Sequence, residues 1–234
     1  MEDSMLFEFD TQSPLSPYVD MIWQMESDRA ESFLSTAVSN WEMVFSQHQG
    51  KSLIAVRGPE TEATFAESMA DTAYFGISFK LGTFMPHLPL QSLLNRQDVT
   101  LPLASNRSFW LLGAAWEMPN VQNADVFINR LIQKDILVRD ADVAAALQGE
   151  PTDLSPRALQ YRFKKATGMS QKMIQQIDRA RQAAMRLEQG KSILDTAYEL
   201  GYYDQAHLTH SLKRFIGETP VQIAEATTRK SYMD

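Results

Sequence analysis

The sequence predicts an α+β chain in which an antiparallel β-rich N-terminal domain, residues 1–138, precedes an all-α domain, residues 139–234. Three observations carry this. Short runs rich in aromatic and β-branched residues (Tyr18 to Trp23, Trp41 to Gln47, Leu53 to Val56, Ala73 to Phe79) are separated by Asn40, Gly50, Gly58-Pro59 and Gly82. That is the punctuation of antiparallel strands. After Asp140 the apolar residues recur instead at spacings of three and four, the period of helices with one buried face. The charge divides at the same place: residues 1–138 hold 8 Lys and Arg against 17 Asp and Glu, a balance of −9, and residues 139–234 hold 14 against 12, a balance of +2.

Within the β-rich part, Pro86 and Pro89 bracket His87 in a loop, a short helix is expected from Leu90 to Asn95, and Val99 to Leu103 is extended. From Asn106 the spacing of Phe109, Leu112 and Trp116, then Val126, Ile128, Leu131 and Ile132, predicts one or two helices leading to a boundary near Asp135 to Arg139. Trp23, Trp41, Phe45, Phe75 and Phe79 are candidates to line a pocket for a small apolar effector. A packed core accounts for the same aromatic residues, and both readings stand. A homodimer formed through a strand edge or the Asn106 to Ile132 helices is compatible with either.

The all-α part repeats one pattern. Ser192 with Asp195 has the form of a helix N-terminus, in which a hydroxyl accepts from the first turn and an acidic side chain reaches back. Ile193, Leu194, Ala197, Tyr198 and Leu200 are expected to face inward, and Gly201 can take the positive φ that ends a helix. Asp204 then caps a second helix with Leu208, Leu212 and Phe215 inward. Its other face carries Gln205, Ala206, His207, His210, Lys213 and Arg214. Helix, glycine turn and a helix with a polar outer face make a helix-turn-helix unit.

The earlier copy has a front helix from Asp140 to Leu147, an interruption at Gly149, Glu150 and Pro151, and a cap at Ser155 with Pro156 in the first helical position. In its second helix Leu159 and Phe163 face inward and Arg157, Gln160, Tyr161 and Lys164 outward, with Gly168 closing it. Between the copies Ser170 to Glu188 forms one helix, a rod of roughly 28 Å. The spacing of successive major-groove faces is ~34 Å, so a linker of this size suits two reading helices on one side of a duplex.

The segments SPRALQYRFKKATGMS, DRARQAA and LDTAYELGYYDQAHLTHSLKRFIGETP resemble the C-terminal domain of AraC/XylS-type bacterial transcription regulators, over roughly the last 95 residues. The resemblance implies binding of double-stranded promoter DNA by two helix-turn-helix units, with RNA polymerase as a further partner. It places base contacts at Arg157, Gln160, Tyr161, Gln205, Ala206, His207 and His210. Phosphate contacts are expected at Ser155, Arg162, Lys164, Lys165, Thr167, Lys213 and Arg214. Tyr161 stands where the family often has arginine, and His210 where arginine or serine is common. That departure supports a second reading, an adaptor that keeps the scaffold and reads DNA weakly. The segments SPYVDMIWQ, NWEMVFSQHQGK, RGPET and GISFKLGTF resemble the β-rich N-terminal domains attached to some members of the family.

Eight Arg and Lys against the single Asp178 within residues 155–187, a local +7, form the electrostatic footprint of phosphate contact. A solvated helical face is the plainer reading of the same charges. With no cysteine there is no disulfide, thiolate metal site or thiol nucleophile. Gly50-Lys51-Ser52 and Gly190-Lys191-Ser192 lack the first glycine of a phosphate loop, whose place Phe45 and Met185 take. His207 and His210 lack the glutamate and third ligand of a zinc site, and His48 and His87 are isolated. The expectation is a protein without catalytic residues, metal or cofactor. The Met-Glu-Asp-Ser start has no leader character and no apolar stretch approaches membrane-spanning length, so a cytoplasmic location is expected.

Overall fold

The structure is a computed structural model and describes residues 5–7, 15, 17–96 and 99–231; the Met-Glu-Asp-Ser start lies outside the described residues. In chain order the elements are β1 (Met5–Phe7), β2 (Val19–Ser27), β3 (Glu31–Ser35), β4 (Trp41–His48), β5 (Lys51–Arg57), β6 (Thr64–Ser68), β7 (Thr72–Phe79), β8 (Thr83–Phe84), α1 (Leu90–Leu93), β9 (Val99–Leu101), β10 (Leu103–Ser105), β11 (Ser108–Leu111), β12 (Ala114–Glu117), α2 (Ala124–Gln133), β13 (Val138–Arg139), α3 (Ala141–Leu147), α4 (Pro156–Thr167), α5 (Gln171–Glu188), α6 (Ile193–Glu199), α7 (Gln205–Phe215) and α8 (Pro220–Ser231). Antiparallel sheets come first and helices follow, the α+β order expected of the sequence.

The chain divides into two units, one of residues 1–32, 40–59 and 67–170, the other of residues 33–39, 60–66 and 171–234. The expected division after residue 138 therefore falls inside the first unit. The reason is a strand. β13 pairs with β8, Val138 opposite Phe84 and Arg139 opposite Thr83, and the Asp140 N–H donates to the Gly82 carbonyl at 2.8 Å. The first helical pair, α3 and α4, thus grows directly out of the β part.

In the first unit a six-stranded sheet has the order β1-β2-β7-β4-β5-β9, with antiparallel neighbours. Its core includes Met43, Ile54, Ile77 and Phe79, all fully buried. Met43, Val44, Phe45 and Ser46 on β4 and Gly76, Ile77, Ser78 and Phe79 on β7 are buried in unbroken runs, the pattern of strands covered on both faces rather than of a half-exposed sheet. A three-stranded meander, β10-β11-β12, and helix α2 supply the covering ring cluster: Phe45 lies 5.9 Å from Phe109 and 6.1 Å from Phe127, centroid to centroid, and Trp116 lies 5.9 Å from Phe127.

The helices expected from Asn106 are a correction. Only Ala124–Gln133 is helical, and the stretch before it is strand. Leu112 (φ 51°) and Gly113 (φ 75°) both take left-handed backbone, as a two-residue hairpin turn requires, and Phe109 in, Trp110 out, Leu111 in is strand alternation. The run FWLLGAAW satisfies both periods, and its glycine is the deciding signal.

In the second unit α5 packs with α6, α7 and α8. Ile174, Ile177, Ala180, Ala183, Ala184 and Leu187 are its buried stripe, with the small residues letting the partner helices close in. Two stretches from the N-terminal half complete this unit. The Ala37 N–H donates to the Phe215 carbonyl at 2.7 Å and the Ala63 N–H to the Arg214 carbonyl at 2.8 Å. Val38 and Glu60 pair with each other as an isolated antiparallel bridge. Gly217, at φ +89°, lies against Leu34: a Cβ there would stand 2.5 Å from Leu34 Cδ2. We call residues 33–39 and 60–66 the arm. Its strands β3 and β6 pair with each other and run back into the first unit. No helix among the described residues is long and apolar enough to cross a membrane.

Candidate nucleic-acid interface

Each of the two outward-facing helices is started by a side-chain cap and carried on a shorter front helix. Asp140 caps α3: its Oδ1 accepts the Val143 N–H at 3.1 Å, and its Oδ2 accepts from Arg162 Nε at 2.8 Å. Arg162 Nη1 also lies 2.8 Å from Asp142 Oδ2. Arg162 thereby clamps α4 to α3, and its pKa is raised further, first by the hydrogen bond it donates to Asp140 and then by the two carboxylate charges, against burial. α4 itself opens on Ser155, whose Oγ accepts the Ala158 N–H at 3.3 Å, runs through Pro156 at its first position and closes at Gly168. Phe163 and Ala166 bury its inner face, with Leu159 half-buried.

Along the outer face of α4, Arg157, Gln160, Tyr161, Lys164 and Lys165 are exposed, Tyr161 at 69%. Two expected phosphate contacts are not on it. Thr167 is 1% exposed and its Oγ1 donates to the Phe163 carbonyl at 2.7 Å, so no phosphate reaches it. Arg162 is committed to Asp140 and Asp142 and serves to orient the helix. Replacing Asp140 with alanine should therefore destabilise this pair by about 1–2 kcal/mol, chiefly the lost cap, because the ion pair is partly solvated. Asparagine, which caps nearly as well, should cost less than half of that in urea unfolding; equal costs would assign the effect to the charge.

The second pair is built on the same plan. Ser192 Oγ accepts the Asp195 N–H at 3.1 Å to start α6, and Asp204 Oδ1 accepts the His207 N–H at 2.7 Å to start α7. Gly201 (φ +68°) turns the chain between them. The turn is pinned from α5: the Arg179 guanidinium lies 4.6 Å over the buried Tyr202 ring, and Arg179 Nη1 donates to the Gly201 carbonyl at 3.5 Å. Leu208, Ser211, Leu212 and Phe215 are the buried side of α7, while Gln205, Ala206, His207, His210, Lys213 and Arg214 are exposed.

The front helix α6 differs from expectation. Leu194 and Tyr198 are 70% and 87% exposed. A seven-residue helix has room for one narrow inner stripe, and Ile193, Thr196, Ala197 and Leu200 fill it; Leu194 and Tyr198 lie about 100° further round. Not every cation in the +7 stretch is available either. Arg162 and Arg179 have the roles just given and Arg186 pairs with Glu199, whereas Arg157, Lys164, Lys165, Lys172 and Arg181 stand exposed.

The aromatic residues proposed to line a pocket separate into two groups. Trp41 and Phe79 stack at 4.1 Å in the core, and Trp41 Nε1 donates to the Thr83 carbonyl; Trp23 Nε1 donates to Glu42. These three are not among the residues that line the cavity described next. Phe45 and Phe75 do: they face a cavity of about 1110 Å³ in the first unit, along with Gln24, Tyr74, Arg107 and Gln122. Its lining is more polar than the aromatic list suggested. Met25, Glu26, Asp28 and Arg29, which precede β3 in sequence, and Ala73, which follows β6, also line it. The arm itself left no mark in the sequence, because backbone N–H groups of Ala37 and Ala63 have no residue signature.

Comparison with known proteins agrees with this geometry in the C-terminal part. A family described as a helix-turn-helix domain matches residues 150–226. Among solved structures the chain is similar to ToxT from Vibrio cholerae, at 10% identity and TM-score 0.39 over 97% of this chain and 98% of that one. It is also similar to ToxT from Vibrio cholerae O395 bound to (E)-4-(8-methylnaphthalen-1-yl)but-3-enoic acid, at 11% identity and TM-score 0.38 over 88% and 97%. No curated protein matches the chain.

Proposed function

We propose, from the helix-turn-helix family match over residues 150–226 and the AraC/XylS-type segments of the sequence, that the chain is a sequence-specific, DNA-binding transcription regulator that lays α4 and α7 in successive major grooves. The observation that carries this is the repeated build: two capped helices, each with a polar exposed face at its N-terminal half and cations near its end, each on a front helix. Base edges are read by Arg157, Gln160 and Tyr161 on α4 and by Gln205, Ala206, His207 and His210 on α7. Ser155, Lys164, Lys165, Lys213 and Arg214 face the phosphates. α5, 18 residues and about 27 Å long, spaces the two on the duplex.

Control enters through the N-terminal half. A small molecule in the cavity beside Phe45 and Phe75 shifts the strands on either side of β3 and β6, and the arm carries the shift to the end of α7, whose last carbonyls it holds. A homodimer through the β-rich part and contact with RNA polymerase complete the reading, in the cytoplasm. Titration with salt tests the central part. Affinity for a selected promoter fragment should fall steeply as salt rises yet stay at least a thousandfold above that for random duplex. Lys165→Ala should weaken both duplexes alike. An adaptor would show no preference between them.

A further inference from the structure

We propose that His207 recognises its base pair as a hydrogen-bond donor only, through Nε2–H, so that it faces a major-groove acceptor: guanine N7 or O6, adenine N7 or thymine O4. The inference rests on α7 being a DNA-reading helix.

The ring is held from behind. His207 Nδ1 accepts the Tyr203 N–H at 3.3 Å, while the His207 N–H donates to Asp204. The ring stands edge-on to Tyr202, 5.2 Å between centroids at 80°. Tyr202 in turn is buried, with its hydroxyl 3.2 Å from Ser211 Oγ and the Arg179 guanidinium over its face. A ring nitrogen that accepts an N–H carries no proton, and in neutral imidazole the proton then resides on the other nitrogen. An unrestrained histidine chooses either tautomer and can meet a donor or an acceptor. Here the turn has made the choice. The major groove offers acceptors on guanine, adenine and thymine, while cytosine offers only its amino donors. Nothing in the spacing D-Q-A-H reveals this, because the partner of Nδ1 is a peptide group.

The plainer alternative is that His207 only braces the turn. Binding sites selected from random duplex by the full-length chain and by His207→Phe separate the two. Phenylalanine keeps the edge-on ring contact and lacks both nitrogens. Expected is a loss of preference of about fivefold to tenfold at a single base pair, with circular dichroism and a urea unfolding midpoint like those of the wild-type chain showing that the variant folds. At that pair a base analogue lacking the acceptor, such as a 7-deazapurine, should cost the wild-type chain the same factor and His207→Phe nothing. The inference is overturned if His207→Phe selects the same base pair, or if every acceptor-lacking analogue costs both proteins alike. Should the wild-type chain select no sequence at all, the reading of α7 itself fails.

Discussion

Replacing Gln160 and Gln205 together with alanine will lower affinity for the selected site by about a hundredfold, while binding to random duplex changes by less than roughly twofold. Each glutamine is exposed in the first half of a capped helix, Gln160 on α4 and Gln205 at the start of α7. A planar amide that bonds adenine in two places discriminates by about 1–3 kcal/mol, on the order of tenfold or more. The two residues are on separate helices with separate caps, so their effects should multiply. Neither is one of the proposed phosphate contacts, which set non-specific affinity. Fluorescence anisotropy of the two single variants and the double variant on both duplexes measures this. If the double variant is no worse than one of the singles, one of the two helices does not read DNA.

The second large effect concerns the arm. Ala37→Pro removes the N–H that holds the Phe215 carbonyl, and both residues are buried. A buried acceptor left without a partner costs about 1–3 kcal/mol. The last carbonyls of a helix have no partner within it, and here two of them are met by peptide groups from residue stretches more than a hundred positions earlier. The contact is at the opposite end of α7 from Gln205 and His207, so it leaves the reading face clear and acts by fixing the helix. We expect Ala37→Pro to weaken specific binding by about tenfold, with faster amide exchange at the end of α7 and none of the change spreading to α4. Gly217→Ala should act in the same direction, through left-handed strain and the Leu34 clash, and Leu34→Ala should relieve the clash part of it. Higher affinity in Ala37→Pro would instead make the arm a restraint on DNA binding.

Much of the C-terminal geometry was legible because its signals are local. Ser155-Pro156, Ser192 and Asp204 each mark a helix start by side-chain chemistry, and each caps the helix it was expected to cap. The apolar stripes of α5 and α7 follow from spacing in helices long enough to establish a face. α6 did not, since in two turns several stripes fit equally well and packing against α5 and α7 decides among them. Residues 106–117 misled because the run FWLLGAAW fits the helix and the strand period alike, and the left-handed pair at Leu112 and Gly113 resolves them. The fates of Thr167 and Arg162 depend on burial and on partners twenty residues distant, which a motif match does not contain. The arm was beyond reach for the most basic reason: main-chain hydrogen bonds between distant segments leave the composition unchanged.

The claim on which the rest depends is that one chain reads two major-groove faces. Guanine-methylation interference and hydroxyl-radical footprinting on a selected site test it most directly, with protein at concentrations where a single chain is bound. The account predicts two interference patches about 10 base pairs apart on one side of the duplex, the patch assigned to α7 vanishing in Gln205→Ala and the other in Gln160→Ala. A single patch, or two patches on opposite sides of the duplex, would contradict it.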